Sequence, residues 1–334
     1  MVRLDTFPPP LPPLLQPERV TVRAAIATSN VLNFISCIFL WRLLEGKNCV
    51  ISRKYEKMPP SKRTIISMLP NERLPLTVLG SGYSGRYLVA EASSQCRIVL
   101  CTSRNPDRRL NHVHPSQRLR FDLMQPDTWR NVPAVTDLVW CFPATPLEQV
   151  QAFAKTLGAP PRHLIVLGST SAYDREELST SYPPPWIDES APIDLRKPRV
   201  QGEEYLRKEH EAIVLRVAGI YGPWRNPIEW IKSGRVRPTR KYVNLIHVED
   251  LATICLLALE RGTPGEVYNV SDGTPRTWAD ICRMAQTRWG VTAHKGGDDS
   301  RPGKRIDTSK LTRELGVRIQ HLDLFTALEE LGGR

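Results

Sequence analysis

Three glycines with the spacing G-x-G-x-x-G are the residues whose types and positions point most directly to chemistry. They follow the short apolar run 76–79 and precede a helix-compatible segment, 86–92. Glycines at these positions allow a tight turn, the approach of a pyrophosphate to the backbone, and close packing of helix on strand. The helix start then offers unpaired N–H groups to the phosphates. The pattern predicts a dinucleotide site formed by Gly80, Gly82, Tyr83, Ser84 and Gly85. A plain glycine turn is the alternative.

The end of the second predicted strand, 96–101, decides between the two nicotinamide cofactors. Ser103 and Arg104 follow this strand, and no acidic residue occupies its end. An acid there would hold the ribose 2′-hydroxyl of NAD, whereas an arginine accommodates the 2′-phosphate of NADP. We therefore expect Ser103 and Arg104 to bind NADP. Asp107 keeps NAD possible, and an ordinary exposed arginine is the alternative interpretation.

Hydroxyl groups cluster after the apolar strand predicted at 163–168. Ser169, Thr170 and Tyr173 all follow its end. A continuous apolar run is typical of a strand with both faces covered, and open α/β sheets bind their ligands at the carboxyl ends of strands. These three residues are therefore the candidate catalytic groups, although Ser/Thr-rich strand ends also form ordinary turns.

Other predicted strand ends supply the remaining cofactor contacts that we expect. Asp122 ends the third predicted strand, where it could accept a hydrogen bond from an adenine amino group or cap the next turn. The fourth and sixth strands are predicted at 136–142 and 212–217. The residues that follow them should also lie beside the cofactor, and these are Pro143, Ala144, Gly219 and Ile220.

Strand and helix patterns alternate from residue 75 onward, which predicts a parallel sheet with helices on both faces. We expect an α/β, Rossmann-type doubly wound fold over residues 75–330, with a smaller, mainly C-terminal substrate-binding part. The least patterned segments, 175–198, 224–245 and 272–330, are its predicted elements. The basic and aromatic stretch 224–241 could meet a phosphorylated substrate, and a solvated basic loop explains it equally well.

Composition narrows the class of protein. The chain has 334 residues, 41% of them hydrophobic, which is enough for a sizeable core. Its seven cysteines form no C-x-x-C pair, so we expect reduced thiols in a cytoplasmic protein and no metal site. Of the net charge of +11, residues 1–70 carry +6. The remainder is only mildly basic and shows no basic stripe interleaved with aromatic residues, which argues against direct nucleic-acid binding.

The first 74 residues differ from the rest of the chain. Residues 7–17 are rich in proline and leucine, which favours extended conformations over helix. The apolar segment 31–44 is shorter than the ~20 residues that span a bilayer. We expect a poorly ordered basic extension over 1–74 and no stable membrane span. Translated upstream sequence is an alternative, with Met58 or Met68 as the start.

From residue 75 to about 330 the sequence resembles the extended and atypical short-chain dehydrogenase/reductases, which form the NAD(P)-dependent epimerase/dehydratase superfamily. It is most similar to the atypical branch described as nucleoside-diphosphate-sugar epimerase-like. The resemblance rests on the glycine turn and on several later motifs in the same order, which are Gly168-Ser-Thr-Ser-Ala-Tyr173, Leu215-Arg-Val-Ala-Gly-Ile-Tyr-Gly-Pro223, Asn244-Leu-Ile-His-Val-Glu-Asp-Leu-Ala252, Val267-Tyr-Asn-Val-Ser-Asp-Gly-Thr-Pro275 and Gly303-Lys-Arg-Ile-Asp-Thr-Ser-Lys-Leu311.

The resemblance implies a proton donor that this chain lacks. The family uses a Ser/Thr on the fifth strand, with a Tyr and a Lys four residues apart on the next helix. Ser169 matches the Ser/Thr, but Leu195 stands at the tyrosine and Arg199 at the lysine. Arg199 could still bind a ribose or a phosphate, so we expect it at the cofactor. Tyr173 is then the best placed remaining phenol.

Three functions remain open at this point. The first is an NADP-dependent oxidoreductase or epimerase that acts on a nucleotide-sugar-like or small carbonyl substrate with an unusual proton donor. The second is a non-catalytic NADP-binding sensor or scaffold, and the third is an RNA-associated member of the same fold. The resemblance also makes a homodimer possible.

Overall fold

The computed structural model describes residues 74–157, 163–174, 181–295 and 301–332. These residues belong to one compact unit, Arg73–Arg334. The extension expected over residues 1–74, with its apolar segment, lies outside the described residues except for Leu74.

A parallel sheet of seven strands organises the described residues. Its strand order is β3-β2-β1-β4-β5-β7-β11, and every neighbouring pair runs parallel. The order reverses between β1 and β4, which is the point where doubly wound sheets bind ligands. The strands in chain order are β1 (Leu76–Leu79), β2 (Val99–Ser103), β3 (Arg118–Arg120), β4 (Asp137–Trp140), β5 (Leu164–Ser169), β6 (Trp186–Ile187), β7 (Ile213–Val217), β8 (Gly219–Tyr221), β9 (Tyr242–Val243), β10 (Leu245–His247), β11 (Val267–Val270), β12 (Arg276–Thr277) and β13 (Arg305–Ile306).

The helices of the described residues cover this sheet and build a smaller subsidiary part. In chain order they are α1 (Tyr83–Ser94), α2 (Pro106–Arg109), α3 (Leu147–Ala154), α4 (Pro198–Glu209), α5 (Pro227–Lys232), α6 (Val248–Arg261), α7 (Trp278–Trp289), α8 (Ser309–Leu315) and α9 (Leu324–Gly332), with 3-10 turns at Pro115–Gln117, Pro126–Asn131 and Thr170–Tyr173.

Two hydrophobic clusters bury the two faces of the sheet. Successive strand residues point to opposite faces, so Val78 packs with α1, α6 and α8, whereas Leu79 packs with α3 and α4. Both residues are fully buried. This double coverage explains the continuous apolar runs of the strands.

A third cluster holds the subsidiary part together. Ile231 of α5, Ile281 of α7 and Leu324 of α9 pack there against Tyr221 and Leu245, which lie on the β8–β10 pair. The elements that the sequence left unpatterned therefore have a core of their own beside the carboxyl edge of the sheet.

The predicted fold class is confirmed, with two shifts in strand bounds. The strand predicted at 96–101 lies at Val99–Ser103, because the chain leaves α1 through Cys96 in the left-handed region, with φ of 58°. The third predicted strand, expected to end at Asp122, ends at Arg120, because the following residues form a turn in which Thr128 hydrogen-bonds to Asp122. Among the described residues, no helix combines the length and the apolar content that crossing a membrane requires.

Candidate functional site

The glycine turn between β1 and α1 has the shape that the spacing predicts. Gly80 adopts φ of +83°, and a Cβ there would lie 2.7 Å from Cδ1 of Phe142. A Cβ on Gly85 would lie 2.7 Å from the carbonyl oxygen of Gly80, so this glycine lets α1 approach the end of β1. A side chain at Gly80 would displace Phe142, and one at Gly85 would push α1 away from β1.

Gly82 leaves open the space that a pyrophosphate would use. It precedes α1, no side chain caps that helix, and no acidic residue lies in its first turn. A Cβ on Gly82 would have no neighbour nearer than the Gly80 oxygen at 4.0 Å, so it would project into the open space before the helix N–H groups. The residues present therefore fit a dinucleotide phosphate.

The side chains of Tyr83 and Ser84 are half-buried at the start of α1. The Tyr83 ring packs 5.6 Å from that of Tyr87, and its hydroxyl is enclosed without a hydrogen-bond partner among the described residues. Burial raises the pKa of Tyr83 above its usual range. Tyr83 therefore offers a phosphate its backbone N–H and not an ionised side chain.

The end of β2 is tied to the glycine turn and presents Arg104 beside it. Thr102 Oγ1 accepts a hydrogen bond of 2.8 Å from the Gly80 N–H, and Ser81 Oγ accepts one of 3.2 Å from the Thr102 N–H. Ser103 and Arg104 come next along the chain, with Arg104 exposed and without an ion pair to the described residues. Both can reach a ligand at this edge.

The remaining predicted cofactor residues lie along the same edge in different states of exposure. Asp122 caps its turn by accepting a 3.0 Å hydrogen bond from the Met124 N–H, which is one of its two expected roles. Pro143 is exposed, but Ala144 is buried under α4. Gly219 is exposed and Ile220 half-buried on β8.

A cavity of about 690 Å³ opens beside these strand ends. Ser169 and Thr170 line it, and so does Gly219. The Ser169 hydroxyl accepts a 3.2 Å hydrogen bond from the Ser171 N–H and still faces the cavity. The rest of its wall comes from the subsidiary part and the loops, which are Ser171, Asp174, Asp194, Arg196, Val217, Ala218, Trp230, Lys241, Tyr242, Val243, Asn244, Leu245, Trp278, Arg301, Gly303 and Lys304.

Tyr173 lies in the core rather than at the cavity, which corrects its expected placement. The residue is 5% exposed and is absent from the cavity wall. Its hydroxyl is 2.7 Å from Asn269 Oδ1 and accepts a 3.0 Å hydrogen bond from Arg216 Nη1. Burial raises the pKa of Tyr173, and both hydrogen bonds of its hydroxyl hold it in the core.

The two positions that match the family's Tyr and Lys differ in their exposure and contacts. Leu195 is 55% exposed and does not line the cavity. Arg199 Nε donates to Glu203 Oε1 at 2.7 Å, and its Nη2 donates to the Leu167 carbonyl at 2.7 Å. Glu203 is 2% exposed. Arg199 thus joins α4 to β5 and stabilises a buried carboxylate, with about a third of its side chain still exposed.

Lys304 is the functional candidate that the residue patterns missed. Its Nζ donates a 2.8 Å hydrogen bond to the Thr170 carbonyl and forms an ion pair with Asp174. Its side chain is 17% exposed and lines the cavity beside Ser169. Burial lowers the pKa of this lysine. The late G-K-R motif contained it, but only the fold brings residue 304 to β5.

Two stacked histidines lie near α1 and α6. The rings of His247 and His321 are 3.7 Å apart and inclined by 29°, and their ring nitrogens lie within 4.8 Å of a Glu249 oxygen. Nearly parallel rings do not direct two lone pairs to one tetrahedral ion. His321 Nδ1 instead hydrogen-bonds to Asp250 at 3.0 Å, which raises the pKa of the histidine. This cluster joins the C-terminal segment to α6.

Comparison with known sequences finds a partial relative. No family model matches the chain. Protein YeeZ of Escherichia coli strain K12 is 32% identical over 114 residues, which are 33% of this chain and 41% of YeeZ. The chain therefore spans about two fifths of the length of the curated relative that it matches.

Solved structures cover most of the described residues. A short-chain dehydrogenase/reductase superfamily protein from Agrobacterium tumefaciens, with bound NAD, aligns with a TM-score of 0.63 at 16% identity, over 77% of this chain and 96% of that one. The Bordetella bronchiseptica enzyme WbmG in complex with NAD and UDP also gives 0.63, at 17% identity over 80% and 96%. The chain has the Rossmann-type α/β fold that these solved structures share.

Proposed function

We propose that this protein binds NADP and acts as an oxidoreductase or epimerase on a nucleotide-sugar-like or small carbonyl substrate. The observation that carries the proposal is the position of the glycine turn and the 690 Å³ cavity at one edge of the sheet. Gly80 follows β1 and Ser169 ends β5, with only β4 between them. A dinucleotide held at the turn could extend along this edge to the cavity.

The preference for NADP rests on the end of β2. Arg104 is exposed directly after Ser103, and no acidic side chain stands at the strand end to bind a ribose 2′-hydroxyl. Guanidinium groups bind phosphates through paired N–H donors. The solved neighbours are named with NAD, so the choice between the two cofactors needs a binding measurement.

Ser169 and Lys304 are the residues that we assign to proton handling. The bound nicotinamide would supply or accept the hydride. The Ser169 hydroxyl faces the cavity and can orient a substrate oxygen. Lys304 Nζ, held by the Thr170 carbonyl and Asp174, can hold a proton at the cavity wall beside Ser169, and burial lowers its pKa.

The cavity wall suits a substrate that carries negative charge and a planar group. Arg196, Lys241 and Arg301 place cationic side chains on it, and Trp230 and Trp278 contribute aromatic surface. Guanidinium and ammonium groups favour phosphate, and indole rings favour stacking. The presence of UDP in the WbmG structure supports a nucleotide-sugar-like ligand.

A non-catalytic NADP-binding sensor or scaffold is the second candidate. Its support is the exposed Leu195 at the family's tyrosine position, together with the engaged hydroxyl of Tyr173. On either proposal, we place the protein in the cytoplasm and expect it to form a homodimer.

Calorimetry with NADPH and NADH tests the cofactor, and a panel of nucleotide sugars and small carbonyl compounds tests the reaction. We expect NADPH to bind more tightly than NADH and to be oxidised with at least one carbonyl compound. Ser169→Ala and Lys304→Met should abolish turnover while NADPH still binds. Binding without turnover for any compound would favour the sensor, and no binding of either cofactor would overturn both candidates.

A further inference from the structure

We propose that Arg225, carried on the tight turn 222–225, is a pyrophosphate-binding residue of the dinucleotide site. The inference rests on the proposed function and assigns to its cofactor site a residue from a different part of the chain. The turn follows β8, far from the glycine turn in sequence, and the fold brings the two turns together.

The turn is closed and has an unusual conformation. The Gly222 N–H donates to the Arg225 carbonyl at 3.3 Å, and the Arg225 N–H donates to the Gly222 carbonyl at 3.0 Å. Trp224 adopts φ of +68°, a region that favours glycine, and its side chain is 52% exposed. The double hydrogen bond fixes where the Arg225 side chain leaves the turn.

Gly222 lets this turn pack directly on the start of α1. A Cβ on Gly222 would lie 2.9 Å from the Tyr83 hydroxyl oxygen and 2.8 Å from Val248 Cγ1. No other residue type fits there without displacing one of them. The turn is therefore pressed against Tyr83, the first residue of the helix that follows the glycine turn.

Arg225 lies over the Tyr83 ring and has donors available for a ligand. Its guanidinium carbon is 4.4 Å from the ring centroid. Its side chain makes no hydrogen bond or ion pair with any residue that the structure describes, and it is exposed. Stacking holds the guanidinium plane but leaves its edge N–H donors unused. Those donors can pair with phosphate oxygens in front of Gly82.

Without Arg225, the two negative charges of a pyrophosphate at the glycine turn would be met mainly by backbone dipoles. An arginine that is positioned before the ligand binds adds charge-assisted hydrogen bonds with little loss of side-chain freedom. The alternative is an exposed arginine that packs on Tyr83 and has no ligand role.

Binding of NADPH, ADP-ribose and AMP to the full chain separates these possibilities. ADP-ribose contains the pyrophosphate, whereas AMP contains the adenosine and a single phosphate. For Arg225→Met, we expect Kd to rise about tenfold for NADPH and ADP-ribose, and less than about twofold for AMP. Arg225→Lys should give an intermediate loss, because a lysine keeps the charge but not the paired donors.

Lys208→Met is the control, since it removes one positive charge from an exposed residue of α4, outside the predicted cofactor and substrate segments. It should leave all three affinities unchanged, and all variants should keep the wild-type Tm. Equal losses for AMP and ADP-ribose, or no loss for either, would overturn the assignment of Arg225 while leaving the cofactor site intact. If the wild-type protein binds none of the three ligands, the proposed function fails and this inference fails with it.

Discussion

Replacing Gly82 and Gly85 separately by alanine distinguishes a ligand role from a packing role within one turn. A Cβ on Gly82 has no neighbour nearer than 4.0 Å, and the residue has a negative φ of −80°. A Cβ on Gly85 meets backbone oxygen at 2.7 Å and Val78 Cγ1 at 3.2 Å. The two glycines therefore differ in what an added methyl group disturbs.

For Gly82→Ala, we expect stability close to wild type and a large loss of dinucleotide affinity. Alanine is a poorer residue than glycine before a helix by a few tenths of a kcal/mol to about 1 kcal/mol. The methyl group occupies the approach to the helix N–H groups. Losing one hydrogen bond to a charged phosphate costs about 1.5–3 kcal/mol, which corresponds to roughly a 10- to 100-fold rise in Kd.

For Gly85→Ala, stability should fall first. Relieving the contact with Gly80 requires α1 to move by roughly 0.7 Å, the difference between 2.7 Å and ordinary contact at 3.4 Å. Overpacking of this kind costs about 1–3 kcal/mol, partly offset by about 1 kcal/mol of helix propensity. A net cost of up to about 2 kcal/mol would lower Tm by up to about 8 °C.

Calorimetric titration with NADPH and thermal unfolding of both variants measure the two effects. If Gly82→Ala binds NADPH as the wild type does, the space before α1 does not hold the phosphates. If Gly82→Ala lowers Tm as much as Gly85→Ala, the packing role of this turn is not confined to Gly85, since the structure shows no clash at Gly82.

Three further predictions concern the cofactor, the core and the pH dependence of stability. Arg104→Asp should reverse a preference for NADPH over NADH in calorimetry, and an unchanged preference would remove the 2′-phosphate assignment. Gly202→Ala should cost at least about 3 kcal/mol and lower Tm by at least about 6 °C, because its Cβ would lie 1.9 Å from the Ala144 carbonyl oxygen; Gly332→Ala, with no atom within 4 Å, is the control. The protonated ring of His321 hydrogen-bonds to Asp250, with Glu249, His247 and Glu330 also near it, and its pKa is therefore raised above 6.5. The protonated histidine stabilises the folded state below pH 6.5, and this contribution is lost as the pH rises through the pKa of the folded state. The deficit in Tm of His321→Gln should therefore be largest below pH 6.5 and shrink above it, and a deficit that grows with pH would contradict this assignment.

The fold and the glycine turn could be predicted because both are local in sequence. Each buried strand is a short apolar run, and the turn requires glycine at fixed positions for reasons of space. The structure shows this lack of space, since a Cβ on Gly80 would meet Phe142 and a Cβ on Gly85 would meet Val78. Even the hydroxyl cluster at the end of β5 was visible, because a parallel sheet collects strand ends at one edge.

Side-chain orientation could not be predicted in the same way. The sequence places Tyr173 near the end of β5 but does not say that the chain turns it inward, toward Arg216 and Asn269. Arg199 is expected at the cofactor, and its Nε donates a hydrogen bond to the buried Glu203 one helical turn away. The partners of Tyr173 come from other strands, and no local pattern records them. The Arg199–Glu203 pair is local to α4, but the contact of Arg199 with the Leu167 carbonyl of β5 depends on the fold.

The proton-handling side of the proposed site depends on a contact between distant segments. Asn244 Nδ2 donates to the Lys304 carbonyl, and Asn244 Oδ1 accepts from the Ile306 N–H, both at 2.9 Å. Gly303, with φ of +75°, leaves room for Tyr242, whose carbonyl oxygen would lie 2.2 Å from a Cβ at that position. The buried Asn244 amide thus fixes the backbone at Lys304 and at Ile306, and Gly303, the residue before Lys304, packs on Tyr242. Because Asn244 holds Lys304 without contacting its Nζ, Asn244 acts as a positioning residue for that ammonium group.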